Sequence, residues 1–174
     1  MPLAPGDYMT RTALLLAFSA MLAACAQLDP AGNASRDAQL VRGILQANLA
    51  EIAAGRLAVA KARSPAVRRY GQRMIDAHTA LQADGSELKS TKGIPLPTHP
   101  DAGQEAALRK LEALAGEAFE HAYLELTLRH HAETLRRFER AASRASDPAL
   151  RAHAERAIPH IRSHLELAGR LAGS

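Results

Sequence analysis

The chain has little of what most binding and catalytic functions rest on. Aromatic residues make up 3% of its 174 positions, with no tryptophan and a single cysteine. Base stacking therefore has no platform, and no run of Lys and Arg stands out. The formal charge of +4 comes from 22 basic and 18 acidic residues of interspersed sign, so nucleic-acid binding has no support beyond the high pI. One cysteine excludes an internal disulfide. No nucleophile–base pair, glycine-rich phosphate loop or paired-carboxylate motif occurs, and the chain reads as non-enzymatic.

What is present is a 47% hydrophobic content built from Ala, Leu, Ile and Val. Such a core suits closely packed helices and disfavours a sandwich or barrel. Alternating steps of four and three give four seams. They run through Val41, Ile44, Asn48, Glu51, Gly55, Ala58 and Ala62; Val67, Gly71, Met74, His78, Leu81, Gly85 and Leu88; Leu124, Leu128, His131, Leu135, Phe138 and Ala142; and Leu150, Ala154, Ala157, Ile161, His164, Ala168 and Leu171. The fold expected is all-α: an antiparallel four-helix bundle, its helices running alternately up and down, with a short extra helix and a Pro-rich crossover between the second and third long helices.

Breakers set the boundaries. Asp29 to Ser35 reads as a polar tether, and the first helix runs from about Ala38 to Arg63. Ser64-Pro65 and Asp147-Pro148 each pair a cap with proline at the first helical position, starting the second and fourth helices. The second reaches about Ser90. Three prolines and a glycine between Thr91 and Pro100 exclude helix there, with Ile94 and Leu96 expected to tuck inward. A short helix spans Gln104 to about Ala115, and the third long one Glu117 to Arg144. Pro159 should kink the fourth one turn before His164.

The N-terminus carries a separate signal. Arg11, the apolar run from Ala13 to Met21 and the small residues before Cys25 describe a secretory segment, too short to stay in a membrane. Met9 is a more conventional start than Met1. Leu22-Ala23-Ala24-Cys25 resembles the lipobox of bacterial lipoproteins, in which the cysteine is lipidated and heads the mature chain. The expected organisation is a signal peptide over 1–24, a lipidated cysteine and tether over 25–37, and the bundle over 38–174. About 150 residues remain after cleavage, enough for one domain with a real core. The lipid on Cys25 makes the membrane a partner. Ala26, standing where inner-membrane lipoproteins often carry aspartate, points to the outer membrane, facing the periplasm. Cleavage without lipidation, giving a soluble exported protein, is the alternative.

Each seam carries one glutamate or histidine near the middle of its helix: Glu51, His78, His131 and His164. Helices packed side by side bring these to one level inside the core, where converging N and O donors suggest a metal site. Positions three before the histidines are Ile75, Leu128 and Ile161, so the Glu-x-x-His pattern of dinuclear carboxylate bundles is absent. One carboxylate and three imidazoles suit a single zinc, copper or iron ion rather than calcium or magnesium. A metal-free hydrogen-bonded layer that fixes helix register explains the same residues, and both readings stand at this point. His130 must face differently from His131. His160, one turn from His164, is a supporting or alternative ligand, while His99, His121 and His153 read as surface residues.

Several segments in order resemble the bacterial family known as domain of unknown function 4142, a ferritin-like group of exported proteins often labelled outer-membrane proteins. They are Glu51-Ile52 with Gly55-Arg56-Leu57-Ala58, Ser64-Pro65-Ala66-Val67-Arg68, Gln72-Arg73-Met74 with His78-Thr79, and Gly93-Ile94-Pro95-Leu96-Pro97. Leu114-Ala115-Gly116 with Phe119 and Ala122-Tyr123, then His131, and Ile158-Pro159 with His164-Leu165 complete the set. The resemblance covers nearly all of Ala38 to Ala172 and implies a ferritin-like fold and export, but no activity. The chain departs from the family pattern at Ala77, where aspartate usually precedes the histidine, and at Glu120, where aspartate commonly follows the phenylalanine.

The functional expectation is thus an exported, lipid-anchored bundle binding one metal ion in its core, for envelope metal handling or stress protection. The alternative is a metal-free structural protein that packs against an envelope protein partner.

Overall fold

The computed structural model describes residues 30–88, 93 and 95–173. The site lies within the compact unit of residues 33–174. The signal segment, Cys25 and Ile94 lie outside the described residues. Among those residues no helix is long and apolar enough to cross a membrane.

Every element among the described residues is helical: α1 (Pro30–Lys61), α2 (Pro65–Ser86), α3 (Ala102–Glu112), α4 (Gly116–Arg144) and α5 (Pro148–Ala172). The stretch expected as a tether is helical from Pro30 on, because Pro30 suits the first turn and Ala31, Ala34 and Ala38 favour helix. Asp37 also ties this part of α1 down: buried, it accepts from Ser146 Oγ at 2.6 Å and from the Asp147 amide at 2.8 Å. Leu96, expected to tuck inward, is 41% exposed. Pro159 lies inside α5, which continues through it to Ala172.

The two tight turns are built alike. Ser64 caps α2 by accepting from the Val67 amide, and Asp147 caps α5 by accepting from that of Ala149; proline follows each. One helical turn on, Arg68 reaches back to the carbonyls of Ala62 and Arg63, and Arg151 to those of Ala145 and Ser146. These bonds satisfy carbonyls that a helix end leaves without partners. An acid from the other hairpin completes each turn. Glu120 accepts from the Arg63 and Ser64 amides, as Asp37 does from Asp147.

Helix direction follows from the two apolar clusters. One cluster holds Val41, Ile44 and Leu45 of α1, Leu88 after α2, Phe138 and Ala141 of α4, and Leu150 to Ile161 of α5. The other holds Ala54 to Ala62 of α1, Val67 to Met74 of α2, Phe119 to Leu126 of α4, and Ala168 of α5. α1 and α5 therefore run one way, and α2 and α4 the other. Strict alternation along the chain, the sequence expectation, gives way here. The connection between α2 and α4 returns the chain to the end where α2 began, with Leu111 of α3 joining the second cluster. Helix midpoints coincide in either arrangement.

Two glycines set how close α1 and α2 come. A Cβ on Gly55 would meet the Gly71 carbonyl at 2.8 Å, and one on Gly71 would meet Ala58 Cβ at 2.8 Å. Only hydrogen fits at this crossing.

Candidate metal centre

Between the two clusters the core turns polar. Asn48 and Glu51 of α1, His78 of α2, Thr127 and His131 of α4, and His164 of α5 are all buried. The rings of His78, His131 and His164 stand with centroids 5.3 to 5.8 Å apart. Each ring offers one nitrogen, and the three nitrogens lie within 4.8 Å of one another. Bonds of ~2.1 Å at tetrahedral angles would set donor nitrogens roughly 3.4 Å apart.

Hydrogen bonds fix the tautomers. His78 Nδ1 lies 3.0 Å from Asn48 Oδ1, and His131 Nδ1 3.0 Å from the Thr127 carbonyl. Both oxygens can only accept, so both Nδ1 atoms donate and each Nε2 keeps a bare lone pair. A metal-ligating histidine is oriented in this way by its outer partner. His78 Nε2, His131 Nε2 and His164 Nδ1 are buried with no hydrogen-bond partner. Leaving a buried polar atom unsatisfied costs about 1–3 kcal/mol, so three together call for an occupant.

Two of the rings are also ready to bind without losing protons. Burial lowers the His78 pKa to about 4, against a smaller opposing effect of Glu51. Burial, and then the neighbouring His131 and His78, lower that of His164 to about 3. Both are neutral at pH 7, the state in which imidazole ligates.

Glu51 departs from the sequence expectation. It is 6% exposed but stands outside the three-histidine group. Its carboxylate accepts from His130 Nδ1 at 3.2 Å and lies 4.0 Å from His131 Nδ1, the edge of that ring opposite the free Nε2. Burial alone would raise its pKa; the fields of His131, His130 and His78 outweigh this and hold the carboxyl below its usual range. The seam put Glu51 at the right level, but heptad arithmetic does not say on which side of a ring a carboxylate lands. His130 does point away from His131's face, yet still reaches Glu51.

The other histidines divide. His99 and His121 are exposed, as expected, and so is His160, which shares an open cleft with Arg73, Asp76 and Ser163. His153 corrects the sequence reading: it is 2% exposed, its ring 6.0 Å from that of Phe138. It lies between Leu150 and Ala157 in helical spacing, which widens the buried face of α5 beyond the single seam. The family departures resolve structurally. Glu120 binds the turn between α1 and α2, and Asp76, the acid one place before Ala77, is exposed and accepts from Gln72. Sequence reasoning passed over Asn48 and Thr127 as supports. Asn48 was visible as a polar residue on the first seam, whereas Thr127 acts through its main-chain carbonyl, which no residue type marks.

A cavity of about 20 Å³ adjoins the layer, lined by Asn48, Glu51, His78 and His131 among others. It has room for about one water-sized ligand.

A family model described as a domain of unknown function (DUF4142) matches residues 22–171 of the chain. No curated protein and no solved structure matches it.

Proposed function

The chain belongs to the DUF4142 family, whose description assigns no activity, and from the chain's own geometry we propose that it binds one transition-metal ion at His78, His131 and His164. One observation carries this reading: three buried ring nitrogens converge with no hydrogen-bond partner. Three imidazoles favour zinc, copper or iron over calcium and magnesium. Glu51 offsets the ion's charge from beside the His131 ring rather than completing the ligand set. Three protein ligands leave a fourth position for a water or small anion.

The surrounding frame in this proposal is a ferritin-like antiparallel four-helix bundle, supported by the two opposed hairpins and the long crossover. Its setting is the bacterial envelope. The protein is exported, lipidated on Cys25 and held at the outer membrane facing the periplasm, a reading supported by the basic, apolar and small-residue pattern ending at Leu22-Ala23-Ala24-Cys25. The role that follows is envelope metal handling. A metal-free register layer is the second reading, favoured by the Asn48 and Thr127 bonds that already hold two of the rings.

Elemental analysis after zinc or copper reconstitution and desalting separates the two. One ion per chain, lost in His131→Ala and in His164→Ala, is the expected outcome. Metal content near zero, or unchanged by these substitutions, rejects the site.

A further inference from the structure

The three-histidine group is buried, so an ion must have a way in. Among the described residues, two clefts at the surface reach toward it. The first, about 240 Å³, opens between α1, α3 and α4 and is lined by Glu51, Asp101, Gln104, His130, Glu133 and Arg137, among others. Behind it lies the cavity of about 20 Å³ that touches His78 and His131. Ala47, Glu51, Thr134 and Arg137 line both spaces, so these four residues form the wall between them. Only one of the four, Glu51, is anionic, and it pairs with His130 of the outer cleft at 3.2 Å and lies 4.0 Å from His131 Nδ1 on the inner side.

The second cleft, about 340 Å³, opens between α2 and α5 onto His164, with Arg73, Asp76 and His160 in its lining. The charges of Arg73 and Asp76 cancel there, and Arg73 places a positive charge near His164. The first cleft has three carboxylates, Glu51, Asp101 and Glu133, against one guanidinium. That guanidinium, on Arg137, is already paired with Glu133 at 2.5 Å. A cation is drawn to the first cleft and not to the second.

Building on the proposed site, we infer that Glu51 is the transfer point of a cation route from the α1/α3/α4 cleft to the three histidines. The ion meets the carboxylate at the wall and displaces the His130 hydrogen bond. It then passes to the bare nitrogens of His78 and His131, and Glu51 returns to His130. No bond beyond coordination and hydrogen bonds changes in this sequence. The route explains why an ionised carboxylate stands at mid-core yet outside the ligand group.

Stopped-flow uptake of cobalt(II), followed by its absorption in the purified protein, tests the route. Glu51→Gln should slow uptake about tenfold or more, over and above any faster release from the loss of its charge beside the bound ion. A residue that merely stabilises the bound ion would instead leave uptake unchanged and speed release. Glu133→Gln should slow uptake by about threefold, and Asp76→Asn in the opposite cleft should leave it unchanged. Unchanged uptake in Glu51→Gln, or slowing by Asp76→Asn and not by Glu133→Gln, overturns the route. No cobalt uptake by the unsubstituted protein overturns the site itself, and His131→Ala supplies the reference for that outcome.

Discussion

The hairpin of α1 and α2 and the hairpin of α4 and α5 are closed by one device but furnished differently at mid-height. Ser64-Pro65-Ala66-Val67-Arg68 and Asp147-Pro148-Ala149-Leu150-Arg151 occupy equivalent turns, and Asp37 and Glu120 serve them reciprocally at the same spacing. At that same displacement Asn48 corresponds to His131, His78 to Ile161, Leu81 to His164, and Gly71 to Ala154. Correspondence holds where any helical hairpin needs it and fails where the three rings converge. Reversing a chain thus requires none of the histidines, and their burial works against stability in the absence of a ligand.

The largest consequence is sensitivity to acid in the metal-free protein. His78 and His164 have folded pKa values of about 4 and about 3, below the ~6.5 of an unfolded chain. Lowered values mean that the unfolded state takes up protons first. Stability is therefore complete above pH ~6.5 and falls as pH drops toward 4. The loss between pH 7 and 5 should be on the order of 2 kcal/mol for each ring, read from urea midpoints. His78→Leu in one hairpin and His164→Leu in the other should each remove about half of it. An acid response untouched by both substitutions would break the distinction between layer and hairpin.

Metal affinity follows. His78→Ala and His131→Ala, one from each hairpin, should each weaken zinc binding by more than about a hundredfold, and Asn48→Ala by about tenfold to a hundredfold, in competition titrations. Next comes the close approach peculiar to the first hairpin. Gly71→Ala drives a methyl group against Ala58 and the Gly55 carbonyl and should destabilise by about 1–3 kcal/mol. Ala154→Gly at the equivalent position should lower stability by only about 1 kcal/mol. The smallest effects are the shared ones. Ser64→Ala and Asp147→Ala should each lower stability by about 1 kcal/mol, and unequal values would show that the turns are less alike than their bonds suggest.

Much of this was legible in the sequence because it depends on local chemistry. Ser64-Pro65 and Asp147-Pro148 announce helix starts through their own side chains, and the seams place His78, His131 and His164 at one level. Chain direction was not legible. Nothing local in Thr91 to Pro100 says which end of the molecule the crossover reaches, and only the partners of Leu88 and Leu111 settle it. The stretch from Ala31 to Ser35 reads as loop by composition but is helical, alongside the anchoring of Asp37 to a turn distant in sequence. Side-chain direction escaped as well. Glu51 lies on the seam yet turns to His130, and His153 lies off it yet is buried, because packing neighbours decide those orientations.

The most direct test is anomalous scattering from a crystal of the zinc-reconstituted protein at the zinc edge. One peak per chain should lie about 2.1 Å from Nε2 of His78 and of His131 and from a ring nitrogen of His164, with the Glu51 carboxylate still beside His130. Zinc found only at exposed groups such as His99 or His121, with the three inner rings bonded to one another or to water, would contradict the metal centre.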